Sequence, residues 1–315
     1  MPDKIRVGVV GVGSLGQHHA RVYSGLPEVE LVGLYDANKR RSSKLAKKHN
    51  TRSFPSIDEL AAEVEAASIV VPTDLHREVA GDMLEKGLHL LVEKPIATTT
   101  EEAEELVQIA KRNNVVLQVG HIERFNPVLA TLENSKLPPR FIEAHRLSPY
   151  PPARRGAPPR GTEVSVVLDL MIHDIEIILH LVQSQVKSIS AVGVPVLSST
   201  EDICNARISF QNGCVANVTA SRISPERMRK IRVFREDAYI SLDYMKQEGE
   251  IYYKSRNKIK KDDIPVEREE PLMSELRAFA KCVATRGTPQ VSGEQGAEAL
   301  KIAMEVVKVC QEGAS

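Results

Sequence analysis

The sequence lacks several features that mark specialised classes of protein. No run of apolar residues approaches the about 18 that a membrane-spanning helix requires, so no membrane span is expected. Lys and Arg together number 42, as do Asp and Glu, so the basic excess of a general nucleic-acid or membrane-surface binder is missing. Internal repeats and long low-complexity tracts are missing too. We therefore expect a globular protein without a nucleic-acid or membrane partner.

Cysteine is scarce, and the spacing of the four cysteines excludes a Cys-x-x-Cys pair. Buried free thiols in a reducing compartment are the expectation. Residues 1–4 lead straight into an apolar strand without the core of a signal peptide, which favours a cytoplasmic protein. A metal site is not expected, because the sequence has no His-Glu-x-x-His motif and Asp169 and His173 have no obvious third ligand.

The 315 residues are enough for two domains, and their patterns change after residue 121. Residues 1–121 alternate apolar strands with helices, which predicts an α/β domain with a parallel sheet covered on both faces. Residues 122–315 are predicted to begin with a helix at 126–132, continue through strands between 188 and 253, and close with two helices. This pattern indicates an α+β domain with an open, mainly antiparallel sheet. Because such a sheet needs its second face covered, we expect a homodimer or homotetramer formed through it.

A glycine-rich turn directly follows the first strand and opens the first helix. It matches the Gly-x-Gly-x-x-Gly pattern in which the first glycine makes the turn, the second lets pyrophosphate approach and the third allows close packing. The predicted cofactor-binding residues here are Gly11, Gly13, Ser14, Leu15 and Gly16. Asp36 ends the second strand, where a carboxylate can bind ribose hydroxyls and repel a 2′-phosphate. NAD is therefore favoured over NADP, although Arg40 and Arg41 could accommodate a phosphate.

Two further segments carry groups suited to alcohol–carbonyl chemistry. Lys94 follows an apolar strand, and ligands of open parallel sheets bind where the strands end. Asp169 and His173 are four residues apart, so they share one face of a helix that is otherwise apolar. A surface lysine and a satisfied polar network in the core remain the alternative interpretations. If the functional interpretation holds, the two segments meet over the nicotinamide.

The combination of motifs resembles the glucose–fructose oxidoreductase/inositol dehydrogenase (Gfo/Idh/MocA) family over essentially the whole chain. The segments that carry the resemblance are the glycine turn followed by His19, Pro72-Thr73 with His76, Glu93-Lys94-Pro95, Arg124-Phe125-Asn126-Pro127 and Asp169-x-x-x-His173-Asp174.

The resemblance implies an N-terminal Rossmann domain and a nicotinamide-dependent dehydrogenase in which Lys94, Asp169 and His173 are catalytic. It also implies a cis Lys94-Pro95 bond. His173 is the natural base, Asp169 would fix its tautomer or relay the proton, and Lys94 would hold the substrate oxygen. The same resemblance assigns further cofactor contacts to Pro72, Thr73, His76 and Glu93, and substrate contacts to Arg124 and Asn126.

The substrate is suggested by two stretches, residues 168–182 and 220–244. They are similar to the family branch that oxidises the 3-hydroxyl of UDP-N-acetylglucosamine on the route to the 2,3-diamino sugar of lipid A. A loop with Arg154, Arg155 and Arg160 could bind the diphosphate, and Arg222 and Arg227 are further candidates. The loop could equally be a solvated surface or a subunit contact. A dehydrogenase of a free sugar or cyclitol and a non-catalytic dinucleotide-binding regulator remain alternatives, although a regulator would not need the catalytic residues.

Overall fold

The computed structural model describes residues 4–133, 137–153, 159 and 161–313. The chain forms two compact units. The first contains the residues up to Ile122 together with Glu270–Glu298, and the second contains Glu123–Glu269 and the residues from Ala299 onward. Glu270–Glu298 follow most of the second unit in sequence but pack with the first unit. The boundary between residues 298 and 299 falls inside the last helix of the chain. No helix of the described residues is long and apolar enough to cross a membrane.

The first unit is built on a six-stranded parallel sheet of order β3-β2-β1-β4-β5-β6. Its strands are β1 (Ile5–Val10), β2 (Val29–Tyr35), β3 (Arg52–Ser53), β4 (Ala66–Ile69), β5 (His89–Glu93) and β6 (Leu117–Gly120). The helices between them are α1 (Gly16–Tyr23), α2 (Lys39–Lys48), α3 (Ile57–Ala61), α4 (His76–Glu85) and α5 (Thr100–Arg112). The predicted doubly wound parallel sheet is confirmed.

The second unit contains an open eight-stranded sheet of order β14-β13-β12-β11-β7-β10-β9-β8. Its elements are α6 (Ala130–Glu133), β7 (Phe141–Leu147), α7 (Ile172–Val182), β8 (Val186–Val194), β9 (Ile203–Phe210), β10 (Val215–Ser221), β11 (Met228–Phe234), β12 (Ala238–Asp243), β13 (Glu248–Ser255) and β14 (Lys258–Ile264). The last two helices of the chain are α8 (Pro271–Thr285), which belongs to the first unit, and α9 (Gly293–Glu312), which is divided between the two units. Neighbouring strands are antiparallel except β7 and β10, which run parallel. The mainly antiparallel sheet is thus confirmed.

The prediction of a helix over residues 126–132 is wrong. The structure has a 3₁₀ turn at Ile122–Phe125 and then the short α6. Asn126 precedes Pro127, whose ring disfavours the α conformation in the residue before it. The Asn126 side chain instead accepts a hydrogen bond from the Val128 amide at 3.3 Å.

Each unit has its own apolar core. In the first unit, α8 packs against α1 and β1, so Leu276 and Phe279 join the cluster around Val9. In the second unit, α7 contacts β7 and β10, and Ile175 and Ile178 are fully buried. The side chains on α7 are therefore held by packing on the sheet, which fixes the direction of its polar residues.

Candidate functional site

The glycine turn has the shape that a dinucleotide requires. Gly11 has a positive φ of 86°, and a Cβ there would lie 2.6 Å from the Val70 carbonyl oxygen. A Cβ on Gly16 would lie 1.8 Å from the Gly11 carbonyl oxygen, whereas one on Gly13 would meet only Arg41 Nη1, at 3.5 Å, among the described neighbours. Gly11 and Gly16 therefore close the turn, and Gly13 leaves the backbone open to the pyrophosphate of a dinucleotide.

The Asp36 carboxylate ties the end of β2 to this turn. Its Oδ2 accepts a hydrogen bond from the Val12 amide at 2.9 Å, and its Oδ1 accepts one from the Asn38 amide at 2.8 Å. The guanidinium beside it belongs to Arg41, with Nε 3.5 Å from Oδ2. Arg40, the residue predicted to bind cofactor, is exposed on α2. The cation next to the Asp36 carboxylate is thus Arg41.

His76 links the ends of β4 and β5. Its Nε2 lies 3.0 Å from the Val71 carbonyl oxygen and its Nδ1 lies 2.9 Å from that of Pro95. Burial lowers the pKa of His76 more than these two carbonyls raise it, so the neutral ring donates to one of them. Pro72 and Thr73 begin the 3₁₀ turn just before His76. The predicted cis Lys94-Pro95 bond is confirmed.

Glu93 and Lys94 stand together at the carboxyl end of β5. The Glu93 carboxylate lies 3.1 Å from His19 Nε2 through Oε1, and its Oε2 accepts a hydrogen bond from the Lys94 amide at 3.2 Å. Burial raises the pKa of the Glu93 carboxyl, but the hydrogen bond to His19 and the nearby charge of Lys94 lower it by more. The pKa of Glu93 therefore lies below its usual value. Gly120 at the end of β6 makes room, because a Cβ there would lie 3.0 Å from Glu93 Cδ. This sheet edge therefore carries an ionised, mostly buried carboxylate.

In the second unit, Asp169 and His173 sit on either side of a change in helix type. Residues 167–171 form a π turn in which the Ile172 amide donates to the Val167 carbonyl, and His173 lies in the first turn of α7. π turns within helices are common at functional sites. Both side chains are half-buried.

Asp169 lies against a loop that buried charges hold in place. A Cβ on Gly161, which has a φ of 81°, would lie 2.4 Å from Asp169 Oδ2. Arg222 donates to the Gly161 and Val164 carbonyls at 2.5 and 2.8 Å, and its Nε donates to Asp202 at 2.7 Å. Burial raises the pKa of Asp202, but Arg222 and the amides of the loop after β8 lower it well below its usual range. Arg222 is therefore a buried anchor for the loop beside Asp169.

A second set of buried charges lies under the start of α7. Arg146 donates to both carboxylate oxygens of Asp174, at 2.7 and 3.2 Å, and to Glu123 at 2.9 Å. Burial opposes the charge of Arg146, but the two facing carboxylates raise its pKa above the ordinary value. Arg229 reaches the same Glu123 oxygen at 3.1 Å from a half-exposed position. Asp174, which directly follows His173, is thus held against β7 by its ion pair with Arg146.

The structure describes only some of the predicted substrate-binding residues. Arg124 is buried and donates to Glu176 at 2.8 Å. Burial raises the pKa of Glu176 to about 7 against the effect of that arginine. Asn126 is also buried and donates to the Tyr244 carbonyl at 3.0 Å. The structure thus shows Arg124 and Asn126 in internal bonds of the second unit, and Arg154, Arg155 and Arg160 lie outside the described residues.

Sequence reasoning missed the charges that support these residues. Arg146 is on β7, a strand that was not predicted, and it shares the buried side of that strand with Ile142 and Ala144. The alternation of residues 141–147 was the available signal, because an arginine on the apolar side of a strand requires a buried acid. No group of three potential metal ligands occurs among the residues whose placement is described.

Comparison with known families accounts for both units. The model for the oxidoreductase family with an NAD-binding Rossmann fold matches residues 5–121, and the model for the GFO/IDH/MocA C-terminal domain matches residues 138–241.

Comparison with individual proteins gives a full-length relative. UDP-N-acetylglucosamine 3-dehydrogenase from Acidithiobacillus ferrooxidans is 34% identical over 96% of each chain. Its solved structure has a TM-score of 0.92 and covers 98% of this chain and 99% of the other. The NAD-dependent scyllo-inositol 2-dehydrogenase of Bacillus subtilis is 27% identical over 93% of this chain and 90% of its own. A levoglucosan dehydrogenase solved with NADH and levoglucosan, at 19% identity and a TM-score of 0.87 over 98% of each chain, shares the fold.

Proposed function

Because the chain belongs to the GFO/IDH/MocA family of NAD-binding oxidoreductases, we propose that it oxidises the 3-hydroxyl of UDP-N-acetylglucosamine to a ketone. The observation that carries the choice of substrate is the full-length similarity to a UDP-N-acetylglucosamine 3-dehydrogenase. The keto sugar would then be aminated on the route to the 2,3-diamino sugar of lipid A. We place the reaction in the cytoplasm, where NAD and nucleotide sugars are available.

The residues that would hold the cofactor lie at the sheet edge of the first unit. Gly11, Gly13, Ser14, Leu15 and Gly16 would take the pyrophosphate, and Asp36 the adenosine ribose. Pro72, Thr73, His76, Glu93 and Lys94 follow the next two strands and would line the nicotinamide half. Bound NAD would supply the hydride acceptor.

The chain's own residues would move the proton. His173 would take the proton of the sugar hydroxyl as the general base, and Asp169 would fix the tautomer of the ring or relay the proton. Lys94 would donate a hydrogen bond to the substrate oxygen and stabilise its developing negative charge. Arg154, Arg155 and Arg160 are proposed to bind the diphosphate, and Arg124 and Asn126 the sugar half of the substrate.

Replacement of Asp36 by asparagine tests the preference for NAD. Asparagine keeps an oxygen that can accept from the Val12 amide, but it removes the charge that repels a 2′-phosphate. Arg41 can then pair with the 2′-phosphate, and we expect the ratio of the NADP to the NAD dissociation constant to fall about tenfold or more. Titration with both cofactors measures it. In the double variant Asp36→Asn, Arg41→Ala, the NADP affinity should fall back; a gain that survives would mean that Arg41 does not bind the phosphate.

The substrate is tested by incubating the purified protein with NAD and one of three compounds: UDP-N-acetylglucosamine, myo-inositol or glucose. Formation of NADH and of a keto nucleotide sugar is the expected result. A bound cofactor that is recycled in place would require a second oxidant, so each reaction is repeated with 2-oxoglutarate. Turnover of inositol or glucose without turnover of the nucleotide sugar would favour a free polyol as substrate, which the similarity to scyllo-inositol 2-dehydrogenase also allows.

The open side of the eight-stranded sheet is proposed to bind a second copy of the chain. Phe141, Phe234, Tyr239 and Tyr252 form a row across four strands, with ring centroids 4.5 to 5.4 Å apart, and all four are partly exposed. A parallel row carries Glu143 and Arg232 in an ion pair of 3.3 Å. An ion pair beside an aromatic row suits the self-complementary contact of a symmetric dimer.

Replacement of Tyr239 by arginine should disrupt that association. The change puts an unpaired charge into the aromatic row, and we expect the dimer dissociation constant to rise about a hundredfold. Light scattering during size-exclusion chromatography measures the mass across a dilution series. The matched control is a charge change at Lys48, exposed on α2, to glutamate. An unchanged mass for Tyr239→Arg would exclude this face as the interface.

A further inference from the structure

A buried acid in the first unit has no place in the chemistry described above. Glu275 lies on α8, its side chain is fully buried, and neither carboxyl oxygen has a hydrogen-bond partner among the described residues. An ionised carboxylate in such surroundings would be very costly, so Glu275 must carry a proton in the resting protein.

The surroundings of Glu275 contain the catalytic edge of the sheet. The Glu93 carboxylate on β5 acts electrostatically on Glu275, and Glu93 in turn contacts His19 and the Lys94 amide. From α1, Tyr23 also senses the charge of Glu275, and its hydroxyl bonds to Ser68 of β4 at 2.9 Å. Around these groups, α8 packs into the apolar cluster of β1.

Glu93 and Glu275 therefore form a pair of carboxyls that interact through their charges, since neither Glu275 oxygen has a hydrogen-bond partner among the described residues. Burial and, after it, the negative charge of Glu93 raise the pKa of Glu275 well above its usual value. Glu93 has the hydrogen bonds and the neighbouring Lys94 that favour its ionised form, so the proton stays on Glu275. A second negative charge appears only if Glu275 gives up that proton.

The charge of this pair matters because the nicotinamide ring changes charge in the reaction. The oxidised ring carries one positive charge and the reduced ring carries none. Glu93 lies at the carboxyl end of β5, the edge at which dinucleotides bind in open parallel sheets. Negative charge at this edge stabilises the oxidised ring and does nothing comparable for the reduced ring.

We propose that Glu275 is a positioning residue that acts through Glu93 to set the affinity for oxidised relative to reduced cofactor. NAD⁺ favours the state in which both carboxyls are ionised, so its binding releases part of the Glu275 proton to solvent, whereas NADH leaves that proton in place. This inference rests on the proposed function, because it requires a nicotinamide at the edge formed by β5. It adds a proton-linked control of cofactor preference to that function.

The sign of the pH dependence follows from this linkage. As the pH rises, Glu275 ionises more readily, and the added charge favours NAD⁺ over NADH. The ratio of the NADH to the NAD⁺ dissociation constant should therefore rise about tenfold as the pH is raised through the range in which the protein stays folded. His19, Tyr23 and Lys94 also lie near this pair, so the dependence is assigned by variants of Glu275 alone.

The experiment compares the full chain with Glu275→Gln and with Glu275→Met, which keeps similar volume if the amide is poorly tolerated. Glu104→Gln, at an exposed position of α5, is the control for the loss of one acid. Binding of NAD⁺ and of NADH is measured by calorimetry in two buffers of different ionisation enthalpy, with no sugar present. Wild type and the control should release protons with NAD⁺ only, and both Glu275 variants should release none and show a constant ratio.

Two failures can be told apart in this design. A wild-type protein that binds both cofactors with a pH-independent ratio and no proton release overturns the role of Glu275 and leaves the proposed function standing. Unchanged proton release in a folded Glu275 variant also overturns the role of Glu275 and leaves the proposed function standing. A wild-type protein that binds neither cofactor overturns the proposed function itself.

Discussion

Replacement of His173 by alanine is expected to lower turnover of the nucleotide sugar about a thousandfold. A positioned general base contributes a factor of about 10² to 10⁴, and His173 is a half-buried imidazole in the first turn of α7. Its place at the first turn of that helix is fixed by packing on both sides, because Ile172 and Asp174 are buried. Loss of the imidazole therefore removes the proposed base without altering the backbone that carried it.

A loss of turnover is also expected for Lys94→Ala, for a different physical reason. The ammonium group would stabilise negative charge on the substrate oxygen, and removal of one such donor costs a factor of about 10² to 10³ in turnover. The Lys94 amide, which holds Glu93, survives the substitution. Cofactor binding should consequently persist in both variants, which fluorescence titration with NADH measures alongside kcat and KM.

The control for His173 is His180→Ala, on the same helix about two turns further along. It removes an equally large side chain of the same chemistry, so a similar loss of turnover there would point to a general effect on α7. Near-normal turnover in His173→Ala, or loss of NADH binding together with turnover, would contradict the assignment of the base.

The elements proposed to surround the cofactor could be predicted from the sequence because local rules determine them. A turn between an apolar strand and a helix needs Gly11 and Gly16 for steric reasons that act within one turn of chain. The positions of Asp36, at the end of β2, and of Lys94, after β5, then follow from the order of strands in a parallel sheet. The bond between Asp36 and the Val12 amide adds a detail that spacing alone does not give.

What the sequence could not give depends on contacts between distant residues. Nothing near residue 275 shows that α8 returns to the first unit, since amphipathic periodicity does not name the surface that a helix covers. β14 escaped detection because six of its seven residues, all but Ile264, are exposed, so no alternation marks it. The parallel pair of β7 and β10 was missed because it joins residues about seventy positions apart.

The buried charges under α7 predict the largest change in stability. Replacement of Arg146 by alanine leaves Asp174 and Glu123 buried with their shared cation removed. Breaking a buried ion pair from one side costs about 3 to 5 kcal/mol, and we expect the free energy of unfolding in urea to fall by that amount. Turnover should fall as well, because Asp174 directly follows His173 in the chain.

Arg229→Ala is the matched control, since Arg229 contacts the same Glu123 oxygen from a side chain that is 48% exposed. Solvent screens that pair, so its loss should cost less than about 1 kcal/mol. A further variant, Arg146→Met with Asp174→Leu and Glu123→Leu, removes the charges together and should recover most of the lost stability. If that variant is stable but slow, the network serves chiefly to orient the helix that carries His173. If Arg146→Ala lowers the free energy of unfolding no more than Arg229→Ala does, other contacts hold the two acids. In that case the Arg146 ion pairs do not fix the position of α7.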